Sequence, residues 1–150
     1  MPNIQKVELR TKTIVGLQTR TKNVDEMNPD TGKIGPLWVR YYNDVYPHLN
    51  EGTTVYGVYF NYESDAHGMF DVLAGSELES EALSSVIIEP GRYLKFPVKG
   101  EMPQAIIDAW GQVWAYFEDP SIDEKRAYET DFEHYISADE AEIYIGVNYF

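Results

Sequence analysis

The residues with the clearest chemical potential in this sequence are one carboxylate and a large supply of aromatic rings. In the segment 131–136, strand alternation places Glu133 on the opposite face from Phe132 and His134. If the face of Glu133 points inward, its carboxylate lies in an aromatic-lined cavity, and if it points outward, the carboxylate is solvated. A carboxylate among rings is costly while it is unpaired, and a positively charged guest would relieve that cost. Alternation alone leaves both placements open.

The aromatic residues, 12 Tyr, 6 Phe and 3 Trp, are rich in rings that carry a polar group. Tyr and Trp provide flat apolar walls, and their faces attract cations. The same rings could equally form ordinary core, and the i, i+4 spacing of Trp110 and Trp114 favours packing over ligand contact. With Glu133, the candidate ligand-binding residues are Trp38, Tyr42, Tyr59, Tyr93, Trp110 and Tyr144.

Several other kinds of site are disfavoured. The absence of cysteine excludes disulfides, thiolate zinc sites and cysteine nucleophiles. The three histidines, His48, His67 and His134, show no paired or HExxH spacing, so we expect no metal site. The segment 28–35, NPDTGKIG, lacks the carboxylate ladder of a calcium loop. No phosphate-binding or dinucleotide-binding motif is present, so we expect no cofactor.

The charge balance constrains partners and location. Twelve basic residues against 25 acidic ones give a formal charge of −13, which disfavours direct binding to nucleic acid. The same charge would draw cations toward the surface. No long apolar stretch predicts a transmembrane helix, and the N-terminus lacks the features of a signal peptide. We therefore expect a cytoplasmic protein that does not interact with membranes.

Apolar periodicity predicts two helices separated by strands. One amphipathic helix runs from Ile34 to Val45 and is stopped by Pro47, and a second begins near Pro103 and ends at Asp119. A turn-rich loop covers 23–36, and a polar linker covers 78–84. Strands are predicted at 7–21, 53–64, 68–78, 84–90, 92–100, 126–136 and 140–150.

This order predicts an α+β fold of duplicated β-α-β-β modules, with antiparallel sheets, two helices and a central ligand cleft. The 150 residues form one domain with approximate halves 1–80 and 81–150. Neither half could easily bury both faces of its sheet alone. Pairing the halves would bury the aromatic helix faces and leave the cleft between them.

Four segments together resemble a known family: IGPLWVRYY (34–42), VYGVYFNYESDAHGMFDVLAGSEL (55–78), GRYLKFPVKG (91–100) and DFEHYISADEAEIYIGV (131–147). They resemble the GyrI-like family, the effector-binding domains attached to AraC-type and MerR-type transcription regulators. The resemblance spans about Val7 to Tyr149, and Gly146 stands where the family usually has proline. It implies a stand-alone, multidrug-binding member of this family, with no preceding DNA-binding module.

The resemblance also implies a function. Glu133 corresponds to the family's buried acidic position, which contacts positively charged ligands among stacking aromatic rings. We therefore expect non-enzymatic binding of hydrophobic, preferably cationic, small molecules. Two alternatives stay open: a hydrolase of reactive cyclic compounds that uses Glu133 as a general base, and a protein-interaction or inhibitor domain with a homodimeric or other protein partner.

Overall fold

The computed structural model of the protein describes residues 4–49, 53–65, 67–77 and 83–148. Eight strands make up most of this part of the chain. They are β1 (Gln5–Leu9), β2 (Lys12–Lys22), β3 (Val55–Phe60), β4 (Met69–Ser76), β5 (Ser84–Ile88), β6 (Gly91–Lys99), β7 (Arg126–Ser137) and β8 (Glu140–Val147).

Two of the helices matter for the site, and both begin and end where the local sequence requires it. They are α2 (Ile34–Asp44) and α3 (Gln104–Glu118), while α1 (Asn23–Glu26) is a single turn and residues Tyr46–His48 form a 3-10 turn. The Glu26 carboxylate accepts hydrogen bonds from the backbone N–H groups of Lys33 and Ile34, so it satisfies donors at the start of α2. Asp119 is extended because a proline follows it, and α3 ends there.

The eight strands form one antiparallel sheet in the order β1-β6-β8-β7-β3-β4-β2-β5. The order is symmetric about the central β3–β7 pair: β4 and β8 flank it, β2 and β6 come next, and β5 and β1 are the edges. Each edge strand is thus contributed by the opposite half of the chain. This exchange ties the two halves together through backbone hydrogen bonds.

The two faces of the sheet have different roles. On the helix face, α2 packs over β3 and β4 around Leu37 and Tyr41, and α3 packs over β6 and β8 around Ile106 and Val113. On the helix-free face, residues of both edge strands join one apolar cluster with Phe132 at its centre. The sheet therefore curls toward the helix-free face and fills that side with its own side chains.

The predicted fold class is confirmed, with differences in detail. The strands of the two modules are continuous in one sheet because β3 pairs with β7 along Val55–Phe60. The predicted strand at 7–21 is two strands that separate at residues 10–11, since β1 pairs with β6 while β2 pairs with β4 and β5. The loop predicted at 23–36 contains α1 and the start of α2. Most of the predicted linker, 78–82, lies outside the described residues.

Close strand approach at one position gives a stability prediction. Gly16 of β2 lies opposite Gly75 of β4, and a Cβ on Gly16 would overlap the carbonyl oxygen of Ala74. We expect Gly16→Ala to lower the free energy of unfolding by about 1–3 kcal/mol, as overpacking does. Gly111→Ala is the matched control: a Cβ there meets nothing within 4 Å, and helix propensity predicts a gain of up to about 1 kcal/mol. Denaturant unfolding measures both, and equal effects would contradict this prediction.

Candidate functional site

A cavity of about 770 Å³ opens on the helix face, between α2, α3 and the sheet. Its floor comes from strands β3, β4 and β7, and its walls come from α2 and α3 together with the short helix α1. The side chains that matter below are Trp38, Tyr42, Tyr59, Tyr62, Trp110, Trp114, Arg126, Glu133 and Tyr135.

The carboxylate of Glu133 lies at this floor and is only 2% exposed. Three neutral donors hold it. The Trp110 indole N–H donates to Oε2 over 2.7 Å, and the Tyr59 hydroxyl donates to the same oxygen over 2.9 Å. The Tyr135 hydroxyl donates to Oε1 over 2.7 Å. Both carboxylate oxygens therefore accept hydrogen bonds, but none of the three donors carries a charge.

Burial sets the electrostatics of Glu133. Loss of water raises the pKa of its carboxyl, and the hydrogen bonds from Tyr135, Trp110 and Tyr59 offset this rise only in part. Within the described part of the chain, Glu133 forms no salt bridge. The ionised form is thus a negative charge in a mostly apolar cavity without a countercharge bonded to it.

A glycine makes room for this carboxylate. Gly57 of β3 is the cross-strand partner of Glu133. A Cβ on Gly57 would lie 2.6 Å from Glu133 Oε1 and 3.0 Å from Trp38 Cζ2. Only glycine lets the carboxylate and the indole ring approach the same point of the floor.

The aromatic walls are held by ring-to-ring packing. Trp38 stacks on Tyr42 with centroids 5.8 Å apart and meets Tyr135 edge-on at 5.5 Å. On the α3 side, Tyr59 and Trp110 meet edge-on at 5.1 Å. These contacts join both helices to the floor. They hold the rings around the carboxylate in fixed positions, because Trp and Tyr side chains have few rotatable bonds.

A second polar group occurs at another part of the cavity. Nη2 of Arg126 lies 2.6 Å from Oδ2 of the buried Asp131. Asp131 also accepts hydrogen bonds from the Tyr62 hydroxyl at 2.5 Å and the Gly146 backbone N–H at 2.9 Å. Arg126 and Tyr62 both line the cavity.

Five of the seven predicted ligand-binding residues line the cavity: Trp38, Tyr42, Tyr59, Trp110 and Glu133. Tyr93 and Tyr144 do not, and their placement as cavity walls was wrong. Both point to the helix-free face, where they pack against Phe132 with centroids 5.7 and 4.5 Å away. The physical reason is strand alternation, because their chain neighbours, among them Leu94 and Ile143, pack under α3.

Of the nine lining side chains named at the start of this subsection, sequence reasoning missed four. Tyr135 shares the alternation face of Glu133, and that spacing was the available signal. Trp114, whose spacing favoured packing, lines the cavity and is partly exposed. Arg126 carried no signal, because a β-bulge between Arg126 and Asp131 disrupts the alternation there. Tyr62 carried none because it lies beyond the end of β3, after Asn61 with its positive φ.

Two features absent from the described residues bear on the site. No group of three or more His, Cys, Asp or Glu side chains is arranged to hold a metal ion. Among the helices described, none has the length and apolarity needed to span a membrane.

Comparison with known proteins identifies a family and several solved structures with a similar fold. Residues 7–147 match the family model of Cass2, described as an integron-associated effector binding protein. A solved structure of an integron cassette protein from the mobile metagenome of Vibrio cholerae is 46% identical, with a TM-score of 0.90, and the match covers 97% of this chain and 95% of that one. No curated protein sequence matches.

More distant structures share the fold alone. SAV2435, described as bound to tetraphenylphosphonium, is 19% identical with a TM-score of 0.74, over 97% of this chain and 94% of that one. A structure described as a hydrolase from Listeria innocua is 9% identical with a TM-score of 0.54, over 98% of this chain and 92% of that one.

The burial of Glu133 predicts how stability varies with pH. Because its pKa is raised in the folded state, the folded protein binds more protons than the unfolded chain between the ordinary and the raised pKa. Stability therefore falls as the pH rises through that window. Glu133→Gln removes this loss, so we expect the stability of the variant relative to the native protein to improve as the pH rises from the ordinary glutamate pKa through the raised one.

Glu142→Gln is the control for that measurement. Its hydrogen bonds with Tyr144, His134 and Lys95 outweigh partial burial and lower the pKa of Glu142, which lies on the helix-free face. The variant should therefore lose stability relative to the native protein as the pH rises through the pKa of this group. Urea unfolding at several pH values measures both, and parallel profiles for the two variants would contradict the assignment.

Proposed function

The chain belongs to the integron-associated effector-binding family, and from this premise we propose that its cavity binds hydrophobic, cationic small molecules without altering them. Glu133 is the charge partner in this proposal, and the rings of Trp38, Tyr42, Tyr59 and Trp110 are the walls. The observation that carries it is a buried carboxylate that has three neutral hydrogen-bond donors and no salt bridge among the described residues.

The charge of Glu133 favours a weakly hydrated cation as the guest. A metal ion or an ammonium would have to give up strongly held water to enter, whereas a bulky organic cation loses little. Inside the cavity, the lower effective dielectric strengthens its attraction to the carboxylate. The three donors do not compete with this guest, because they satisfy the carboxylate oxygens without neutralising them.

The walls and the volume support the same class of ligand. Each well-placed ring face can contribute about 0.5–2 kcal/mol to cation binding. The cavity volume of about 770 Å³ falls within the usual range of small-molecule sites. The formal charge of −13 would attract cations toward the mouth.

A protein with the same fold supports the choice of probe. SAV2435 is described as bound to tetraphenylphosphonium, a cation whose charge is covered by phenyl rings. We propose that the present cavity accepts guests of that chemistry. We also propose that the protein is cytoplasmic. The formal charge of −13 supports our proposal that it does not contact nucleic acid directly.

A hydrolase is the second candidate. The pKa of Glu133 is raised, as is the pKa of many carboxylates that act as general bases. Against it, three donors already engage the carboxylate oxygens, which makes the carboxylate a weaker base. Incubation with strained cyclic electrophiles separates the candidates. A binder gives saturable tryptophan quenching without product, whereas turnover that is lost in Glu133→Gln would favour the hydrolase.

The binding prediction concerns the charge of one residue. We expect Glu133→Gln to weaken tetraphenylphosphonium binding by more than about tenfold, or 1.4 kcal/mol, because the Coulomb attraction is lost. Gln retains one carbonyl oxygen for Trp110 and Tyr59, so the shape of the floor is kept. The neutral compound triphenylphosphine oxide should bind both proteins within about twofold. Tryptophan quenching or calorimetry measures these affinities.

Glu142→Gln controls for the loss of one surface charge. This substitution removes one negative charge, as Glu133→Gln does, but Glu142 lies outside the cavity. The affinity of the variant for the phosphonium should therefore equal that of the native protein. Equal weakening of the cation and the neutral compound in Glu133→Gln would contradict a charge role for Glu133.

A further inference from the structure

Glu133 brings a charge to the cavity but keeps little hydrogen-bonding capacity for a guest. A carboxylate offers about four acceptor positions, two on each oxygen. On Oε2 both are used, by the Trp110 indole N–H at 2.7 Å and the Tyr59 hydroxyl at 2.9 Å. Oε1 accepts the Tyr135 hydroxyl at 2.7 Å, and the Gly57 backbone lies against the same oxygen, since a Cβ there would be 2.6 Å from it. The carboxylate is thus nearly saturated by its own surroundings.

Burial keeps a guest away from these oxygens without cancelling the charge. Glu133 is only 2% exposed, and its three donor side chains all line the cavity. A guest therefore meets the rings of the donors before it meets the carboxylate oxygens. The attraction between charges persists at that range because it falls off gradually with distance, whereas a hydrogen bond needs a donor at about 2.7–3.2 Å.

The other carboxylate among the described residues that line the cavity is engaged in the same way. Oε2 of Glu26 accepts the Thr21 hydroxyl at 2.5 Å and the backbone N–H of Lys33 at 2.8 Å. Oε1 of Glu26 accepts the backbone N–H of Ile34 at 3.1 Å. Most of the other described lining residues are apolar or aromatic. A hydrogen-bond donor that a guest carries into this cavity therefore has few acceptors within reach.

A cation with an N–H group is at a disadvantage in such a cavity. In water a protonated amine donates a strong hydrogen bond to the solvent, and burial without an acceptor forfeits that bond. A quaternary cation has no such donor, because carbon covers its charged atom on all sides. Both kinds of cation are attracted to Glu133, so the unpaired N–H decides between them.

Resting on the proposed function, we propose that the cavity selects quaternary organic cations over protonated amines of the same frame. The ligand class is an onium ion whose nitrogen or phosphorus carries four carbon substituents, with aryl groups that contact the rings. Trp110, Tyr59 and Tyr135 impose this selection, because they occupy the carboxylate oxygens that the N–H of an amine would otherwise use. They are specificity-determining residues as well as supports for the buried carboxylate.

Two cations built on one frame test this selectivity. Trimethyl(3,3-diphenylpropyl)ammonium is quaternary, whereas dimethyl(3,3-diphenylpropyl)amine is protonated at neutral pH and carries one N–H. Burial of the additional methyl group accounts by itself for about fourfold in affinity. Because the unpaired N–H adds to this difference, we expect the native protein to bind the quaternary ion about twentyfold more tightly. Calorimetry at neutral pH measures the ratio of the two affinities.

Hydroxyl deletions assign the preference to the donors of Glu133. Tyr135→Phe vacates one position on Oε1 at the cavity wall, where the amine N–H can bond, so the ratio should fall to about fourfold. Tyr59→Phe does the same on Oε2 and serves if the first variant fails to fold. Tyr62→Phe is the matched control, because Tyr62 also lines the cavity but its hydroxyl is bonded to Asp131, and it should keep the native ratio. Each ratio compares two guests in one protein, so changes common to both cancel.

The outcomes separate this inference from the proposed function. If the quaternary ion binds the native protein no more than about fourfold better than the amine, or does not bind, the inference is wrong. The proposed function then stands as long as tetraphenylphosphonium binds and Glu133→Gln weakens that binding. If the native ratio survives in both Tyr135→Phe and Tyr59→Phe, or is lost in Tyr62→Phe, the hydrogen-bond explanation is wrong. If none of the three cations binds the native protein, both the inference and the proposed function fail.

Discussion

The site depends on one electrostatic constraint: a carboxylate buried among rings, bonded to neutral donors and to no positive charge of the described residues. The indole of Trp110 and the hydroxyls of Tyr59 and Tyr135 supply hydrogen bonds that make burial of Glu133 tolerable. They do not remove its charge, so burial still raises the pKa of the carboxyl. A guest that brings a positive charge and little water would complete the set of partners.

The strand that carries this carboxylate also stabilises the fold. Alternate residues of β7 point to opposite faces, so Phe132 enters the helix-free cluster while Glu133 enters the cavity. The central β3–β7 pair places Gly57 against Glu133, where a larger residue would collide. The position of the carboxylate is therefore fixed by sheet register and by core packing on the other face.

Much of this arrangement was predictable from sequence, because it follows from periodicity. The helical stripes located α2 and α3, and alternation grouped Glu133 opposite Phe132. Tyr93 and Tyr144 could not be assigned to a face, since alternation gives only relative orientation and the choice of buried face depends on which helix covers each strand. The exchange of edge strands between the halves was not predictable either, because it arises from long-range pairing of β1 with β6 and β2 with β5.

The residues without a sequence signal are those that irregular backbone places. Arg126 reaches the cavity because a β-bulge interrupts β7, and Tyr128 adopts a positive φ that no local motif predicts. Such features need coordinates to be recognised. They also tend to occur beside functional sites, where a side chain has to be redirected.

The most direct measurement of the central claim is the titration of the Glu133 carboxyl itself. ¹³C NMR of protein labelled at glutamate carboxyl carbons follows it, and Glu133→Gln identifies its signal. We expect a pKa above the ordinary glutamate value in the free protein and a clearly lower pKa when tetraphenylphosphonium saturates the cavity. An identical titration with and without the cation would contradict it.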